Sequence, residues 1–315
     1  MKLAIESVLL GLLLMTGMLS AAEPKFPGDA QRVLFLGDSI THAGHYVEMI
    51  EAHVRTAHPN SRAEFINLGL PSETCSGLSE PEHPFPRPNV HERLDRALAR
   101  IQPDLVVACY GMNDGIYYPF SEERFAAYQR GIRTLVAKVK QSGARLVLMS
   151  PPAFDPLPLK KKGSLLPLGA EKYAWFKIYE GYDDVLRKYA AWVIQPQPDV
   201  VATIDLHTAV HHYVAKKRRS NPDFTMSNDG VHVNVEGHRV LADAILTAWG
   251  YDPSQTVNPE LAKLVSQRQR IMHPAYVSYV EHQRPGVKAG LPIEEARAAA
   301  AKIEAQITTL LNPSK

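Results

Sequence analysis

The strongest constraint on this chain is an alternation of short apolar runs with longer segments of helical spacing. Arg32-Val33-Leu34-Phe35-Leu36-Gly37 has the pattern of a buried strand closed by glycine, and Tyr46 to Ala57 follows with Val47, Ile50 and Val54 on one helical face. Ala63 to Leu68 reads as a second strand. Asp104 to Tyr110 reads as a third, apolar almost throughout, as a strand covered on both faces should be. Arg124 to Lys140 carries helical spacing at Phe125, Ile132, Leu135, Val136 and Val139 and stops at Gly143. Ala144 to Met149 and Val200 to Asp205 complete the strands, with helices expected over Glu171 to Ile194 and Val235 to Trp249. Such alternation predicts parallel pairing through right-handed crossovers, an α/β fold with helices on both faces of the sheet. Ligands of such sheets bind beyond the carboxyl ends of the strands, so the residues that follow each strand carry the functional argument.

Four segments at such positions hold the residue types of acyl transfer. Ser39, in Gly37-Asp38-Ser39-Ile40-Thr41, sits in a tight strand-to-helix turn with its hydroxyl towards the crevice; read alone it is also a plain helix cap. Asn67-Leu68-Gly69 closes the second strand with a glycine whose backbone can approach a ligand. Gly111-Met112-Asn113-Asp114 follows the third strand and offers a side-chain amide that can donate to an oxyanion; Asp114 reads as an Asx-type turn. In Asp229-Gly230-Val231-His232 the aspartate is spaced to turn back onto the imidazole, fixing its tautomer while the other ring nitrogen faces a serine.

Taken together, these segments resemble the blocks of the SGNH (GDSL-type) hydrolase family over Val33 to Gly250. The resemblance implies Ser39 as nucleophile and first oxyanion N–H, Gly69 and Asn113 as the further oxyanion donors, and Asp229 with His232 completing a catalytic triad. It implies a three-layer, flavodoxin-like fold on a parallel five-stranded sheet, and serine esterase chemistry without cofactor or metal. One departure stands out: Leu70-Pro71-Ser72-Glu73-Thr74 after Gly69 lacks the further glycine often found there. No Gly-x-Ser-x-Gly elbow, dinucleotide-binding glycine fingerprint or Walker-type loop occurs.

The first residues read as a secretory leader: Lys2, an apolar core from Val8 to Leu19, then Ser20-Ala21-Ala22 with cleavage after Ala22. A secreted or periplasmic protein without stable membrane insertion is expected, with the hydrolase domain over 23–250 and a C-terminal helical extension, packed on it, over 251–315. Pro259 to Tyr279 and Pro292 to Leu311 are the helices of that extension, broken at Gln283-Arg284-Pro285-Gly286. A net charge of +2 argues against general polyanion binding, and the runs Lys160-Lys161-Lys162 and Lys216-Lys217-Arg218-Arg219 read as solvated, so no nucleic-acid partner is expected. Of the 13 histidines, His207 and His211 have helical ligand spacing but no third ligand nearby. Cys109, inside an apolar strand, reads as a buried hydrophobe rather than as the disulfide partner of Cys75.

The substrate is read less directly. Asp38, His42, Tyr117 and Tyr118 are candidate substrate-lining residues, and Tyr110 and Phe120 also flank the Asn113 loop. The proline-rich stretches Glu73 to Pro88 and Pro151 to Leu168 are candidate walls of the crevice. No long apolar groove for an acyl chain is evident. A small acyl ester, acetyl above all, on a carbohydrate is the expectation. A lysophospholipase or thioesterase is the enzymatic alternative; a non-catalytic carbohydrate-binding protein on the same fold, or an interaction protein built around the tail, are the others. Oligomeric state is left open.

Overall fold

A computed structural model describes Pro27 and residues 30–312; the leader expected over 1–22 lies outside them. The chain runs β1 (Arg32–Gly37), α1 (Ser39–Ala43), α2 (His45–Ala57), β2 (Glu64–Asn67), α3 (Leu94–Ile101), β3 (Leu105–Cys109), α4 (Glu122–Gln141), β4 (Arg145–Met149), α5 (Leu157–Lys161), α6 (Tyr182–Val193), β5 (Ala202–Ile204), α7 (Leu206–Arg218), α8 (Val235–Ala248), α9 (Pro259–Tyr279) and α10 (Ile293–Leu311). The five strands form one sheet in the order β2-β1-β3-β4-β5, every pairing parallel. Phe35 faces Asn67 on one side of β1, and Gly37 faces Cys109 on the other.

This order has a direct consequence for the site. The chain leaves β1 towards β2 and later returns past β1 to β3, so right-handed crossovers send α2 to one face and α3, α4 and α6 to the other. The crevice of a doubly wound sheet opens where that direction reverses, beyond the carboxyl ends of β1 and β3. Ser39 follows β1 and the Asn113 loop follows β3, so the topology brings both to this point. The strands of β1 and β3 are buried over nearly their whole length, as their apolar runs require.

One sequence expectation is revised here. Only Tyr182–Val193 of the helix expected over Glu171 to Ile194 is helical. Ahead of it the backbone is claimed by distant partners: Leu166 donates to Ile178 O at 2.9 Å, Glu180 to Leu166 O at 2.9 Å and Tyr179 to Tyr117 O at 3.1 Å. Those bonds replace an intrahelical ladder and leave Trp175 and Phe176 each 51% exposed at a turn. The sequence pattern did not single out α3, whose buried face is Leu94, Ala97, Leu98 and Ile101. Within Pro151 to Leu168 only one turn, α5, is helical.

The tail helices share the domain's core: Met272, Tyr276, Val280, Ala296 and Ala300 belong to the same apolar cluster as the sheet. Between α2 and α9 lies a buried polar seam. Glu51, fully shielded from solvent, accepts from Arg55 at 2.9 Å and from Gln269 at 2.5 Å, while Gln269 also donates to Phe65 O at 2.9 Å. A buried carboxylate requires such partners, so the seam ties α9 to the position it takes beside β2. Cys75 and Cys109 are both buried and free. No helix among the described residues is long and apolar enough to cross a membrane.

Candidate active site

The turn after β1 explains how Ser39 comes to face the crevice. A Cβ on Gly37 would lie 2.1 Å from Thr41 Oγ1, so only glycine lets strand pass into helix here. Asp38 takes the capping position, its Oδ1 accepting the Ile40 N–H at 2.9 Å. Ser39 is therefore the first helical residue rather than the cap, and its own N–H has no acceptor among the described residues. Its side chain borders a cavity of about 370 Å³, shared with Asn113, Asp229 and His232.

Asp229 and His232 stand on the loop before α8. Gly230, at φ +79°, makes the turn between them, and its carbonyl accepts the Asp155 N–H at 2.9 Å. Asp155 is itself held by Arg218 at 2.8 Å and Thr225 at 2.7 Å. His232 Nδ1 lies 2.6 Å from Asp229 Oδ2, and His232 Nε2 lies 2.8 Å from Ser39 Oγ. The other Asp229 oxygen accepts the N–H groups of Val231 at 3.0 Å and His232 at 2.8 Å, with Ser227 Oγ at 3.0 Å. Burial pushes the Asp229 carboxyl up, but these bonds and the imidazole charge outweigh it and hold the group well below the usual carboxylate range. The hydrogen bond to Asp229 raises His232 above the ordinary imidazole value against the opposing effect of burial, with the charges of Asp229 and Asp38 adding to the rise. With a carboxylate on Nδ1, the proton belongs there and Nε2 is left as acceptor for the serine hydroxyl.

Asn113 is oriented by its neighbours. Its Oδ1 accepts from Arg87 Nη1 at 3.1 Å and from Tyr117 OH at 2.8 Å, while Nδ2 donates to Glu73 O at 3.1 Å. A guanidinium can only donate and a carbonyl only accept, so this pattern fixes which way the amide points. The second Nδ2 proton has no acceptor among the described residues, and Asn113 borders the cavity. Arg87 is in turn paired with Glu80 at 2.6 Å, and Glu73 with Arg93 at 2.6 Å and Tyr110 OH at 2.7 Å, all of them buried.

A model of the GDSL-like lipase/acylhydrolase family matches residues 35–240. The chain belongs to that family. It is accordingly a carboxylic ester hydrolase of GDSL type. No curated protein matches the sequence. Among solved structures, the family fold is shared with BT4096, a gut microbial diltiazem-metabolizing enzyme, at 18% identity and a TM-score of 0.54 over 70% of this chain; the chain spans only 47% of that enzyme. It is also shared with a catalytic mutant of Axe2, an acetylxylan esterase from Geobacillus stearothermophilus, at 20% identity and a TM-score of 0.51, covering 72% of this chain and 97% of that one.

Within this GDSL-type site several expectations need correction. Gly69 was expected to donate to an oxyanion, yet its N–H is already given to Asn67 Oδ1 at 2.8 Å and it does not border the cavity. It is glycine for packing: a Cβ there would lie 2.2 Å from His42 N. The backbone N–H without an acceptor on this loop is that of Ser72, which borders the cavity and has φ +67°, a conformation glycine favours. The missing glycine in the sequence was the signal for it.

Asp38, His42 and Tyr118 do not border the cavity either. Asp38 is buried beneath the site, and that burial pushes its carboxyl up to about 6. His42 Nδ1 meets Gly69 O at 3.0 Å and its ring packs on His273. Tyr118 packs on Tyr173 with ring centroids 5.0 Å apart. Tyr117 is the one of these four that does border the cavity. Asp114 makes no local Asx turn; its Oδ1 accepts the N–H groups of Cys75 at 2.8 Å and Ser76 at 2.7 Å. His207 is paired with Asp183 at 3.1 Å, and no group of three metal-binding side chains occurs among the described residues.

Several cavity residues were not singled out from the sequence. Trp175 and Phe176 come from the turn ahead of α6, Phe85 from the proline-rich stretch read as a wall, and Arg284 from the break between the tail helices. Leu159 of α5 also borders the cavity, as the reading of Pro151 to Leu168 expected. A tryptophan followed by phenylalanine inside an otherwise amphipathic segment was the available signal for the turn, and helical spacing masked it.

Proposed function

We propose that Ser39 is the nucleophile of this ester hydrolase, with His232 as general base and Asp229 as the group that orients and stabilises the imidazolium. The observation that carries the reading is the unbroken chain from Asp229 Oδ2 to His232 Nδ1 at 2.6 Å and from His232 Nε2 to Ser39 Oγ at 2.8 Å. Ser39 attacks the ester carbonyl as His232 takes its proton; the alkoxide leaves with that proton, and water, activated the same way, releases the acid. The oxyanion is held by the N–H groups of Ser39 and Ser72 and the Asn113 amide.

The acyl group in this proposal is small, acetyl above all, and the alcohol is a carbohydrate. A cavity of about 370 Å³ holds a short acyl group with part of a sugar ring, and Trp175, Phe176 and Phe85 at its border offer faces for the ring's C–H surface. The acetylxylan esterase that shares the fold agrees with this substrate class, though the cavity carries the argument. An extracytoplasmic location completes the proposal and rests on the leader-like residues 1–22.

The test is hydrolysis of 4-nitrophenyl acetate, butyrate and octanoate by the protein and by Ser39→Ala. Activity that is highest on acetate and absent from the variant is expected. A preference for octanoate moves the substrate to lipid or thioester, and equal rates in both proteins remove Ser39 from the chemistry.

A further inference from the structure

Arg284 lies on the segment between α9 and α10, far along the chain from Ser39, yet it borders the same cavity. Its guanidinium is held in one attitude. Nε donates to Pro71 O at 3.1 Å, Nη1 donates to Pro285 O at 2.5 Å, and Cζ sits 5.0 Å from the centre of the Phe85 ring. None of these partners carries a formal charge, and no carboxylate lies within ion-pair distance of Arg284 among the described residues. The other arginine bordering the cavity is compensated: Arg87 is paired with Glu80 and bonded to Asn113. The cavity's own carboxylate, Asp229, is engaged by His232 and loop amides.

Arg284 therefore keeps the Nη2 protons and one Nη1 proton without an acceptor, on a planar fork suited to bidentate contact with an anion. Partial burial disfavours its charged form and lowers it from the ordinary guanidinium value, the signature of a cation taken from water without a counter-charge. Arg55, Arg87 and Arg93, by contrast, each carry a carboxylate partner.

We infer that Arg284 selects esters whose sugar carries an anionic group, a uronate carboxylate or a sulfate, beside the acyl group that Ser39 removes. The inference deepens the function proposed above and rests on it. The tail thus supplies part of substrate recognition.

Three acetylated probes test it: an oligogalacturonide, the same oligosaccharide after carboxyl reduction, and a sulfated neutral oligosaccharide. Wild type is expected to favour an anionic probe over the reduced one by about 10–100-fold in kcat/KM, through KM, with the preference shrinking as salt rises. Arg284→Gln should erase most of that ratio and Arg284→Lys should retain part, in proteins with matching circular dichroism. Preference for the sulfated probe alone identifies the anion as sulfate. A wild-type ratio near one, or a ratio unchanged in Arg284→Gln, overturns the inference. Ser39→Ala on 4-nitrophenyl acetate is run beside it: Ser39-dependent hydrolysis with no anion preference sinks only the role of Arg284, whereas hydrolysis that survives the variant sinks the catalytic reading as well.

Discussion

Replacing Asp229 by Asn isolates the charge of the proposed triad from its geometry. Asp229 Oδ1 accepts two backbone N–H groups and the Ser227 hydroxyl, and an asparagine oxygen can keep all three, so the loop should survive. The change falls on the other oxygen, now an NH2 group 2.6 Å from His232 Nδ1. An amide there donates to Nδ1, which moves the ring proton to Nε2 and aims it at Ser39 Oγ. The base then has no lone pair where it is needed. The expected loss is ~10⁴-fold in kcat, or about 5 kcal/mol of barrier. The pH profile moves too. His232 is raised chiefly by its bond to Asp229, so wild-type kcat/KM should climb with a midpoint above 6.5, and the midpoint should fall in the variant. Asp38 also raises His232, so part of the elevation persists. The assay is 4-nitrophenyl acetate hydrolysis from pH 5 to 9, with thermal midpoints taken alongside. A variant within tenfold of wild type, with its midpoint unmoved, would refute the role given to Asp229.

Asn113→Ala should cost about 10²–10³ in kcat while the fold persists, and Tyr117→Phe, which removes one of three holds on the amide, should cost less; equal rates in all three proteins exclude the oxyanion role. Ser72→Gly relieves a left-handed backbone, so stability should rise by ~1 kcal/mol, about 2 °C in Tm, with activity retained; a lower Tm contradicts the strain. Asp38 is raised to about 6 by burial, so its contribution to stability is fully present below the unfolded value of 3.8 and lost as pH rises through 6, by ~3 kcal/mol. Asp38→Asn keeps the cap and should flatten thermal stability across that window; an unchanged pH dependence assigns it to other groups. Trp175→Ala with Phe176→Ala should raise KM on acetylated oligosaccharides more than on 4-nitrophenyl acetate, and parallel changes on both substrates speak against sugar stacking.

The sheet was legible because β1 and β3 are apolar for nearly their whole length, a pattern that topology and burial both demand. Ser39, Asn113, Asp229 and His232 were legible because each stands next to a strand end or helix start, where local spacing and spatial position coincide. Gly69 was misread for an instructive reason. Asn67 turns its side chain back onto the Gly69 N–H, a contact two residues long that family likeness does not reveal. Trp175, Phe176 and Arg284 were missed because long-range bonds, such as Tyr179 to Tyr117 and Arg284 to Pro71, decide where they lie. No periodicity encodes such contacts.

The polar seam between α2 and α9 also governs what a shortened chain would do. The strand order leaves β2 with a single neighbour in the sheet, and Gln269 of α9 occupies the Phe65 carbonyl on that strand. Ending the chain before Asn258 would strip Glu51 of Gln269 and Arg268, and would bare a strand rim able to pair with another molecule. Such a truncation is expected to self-associate rather than to give a smaller working esterase, which gel filtration of the shortened chain would check.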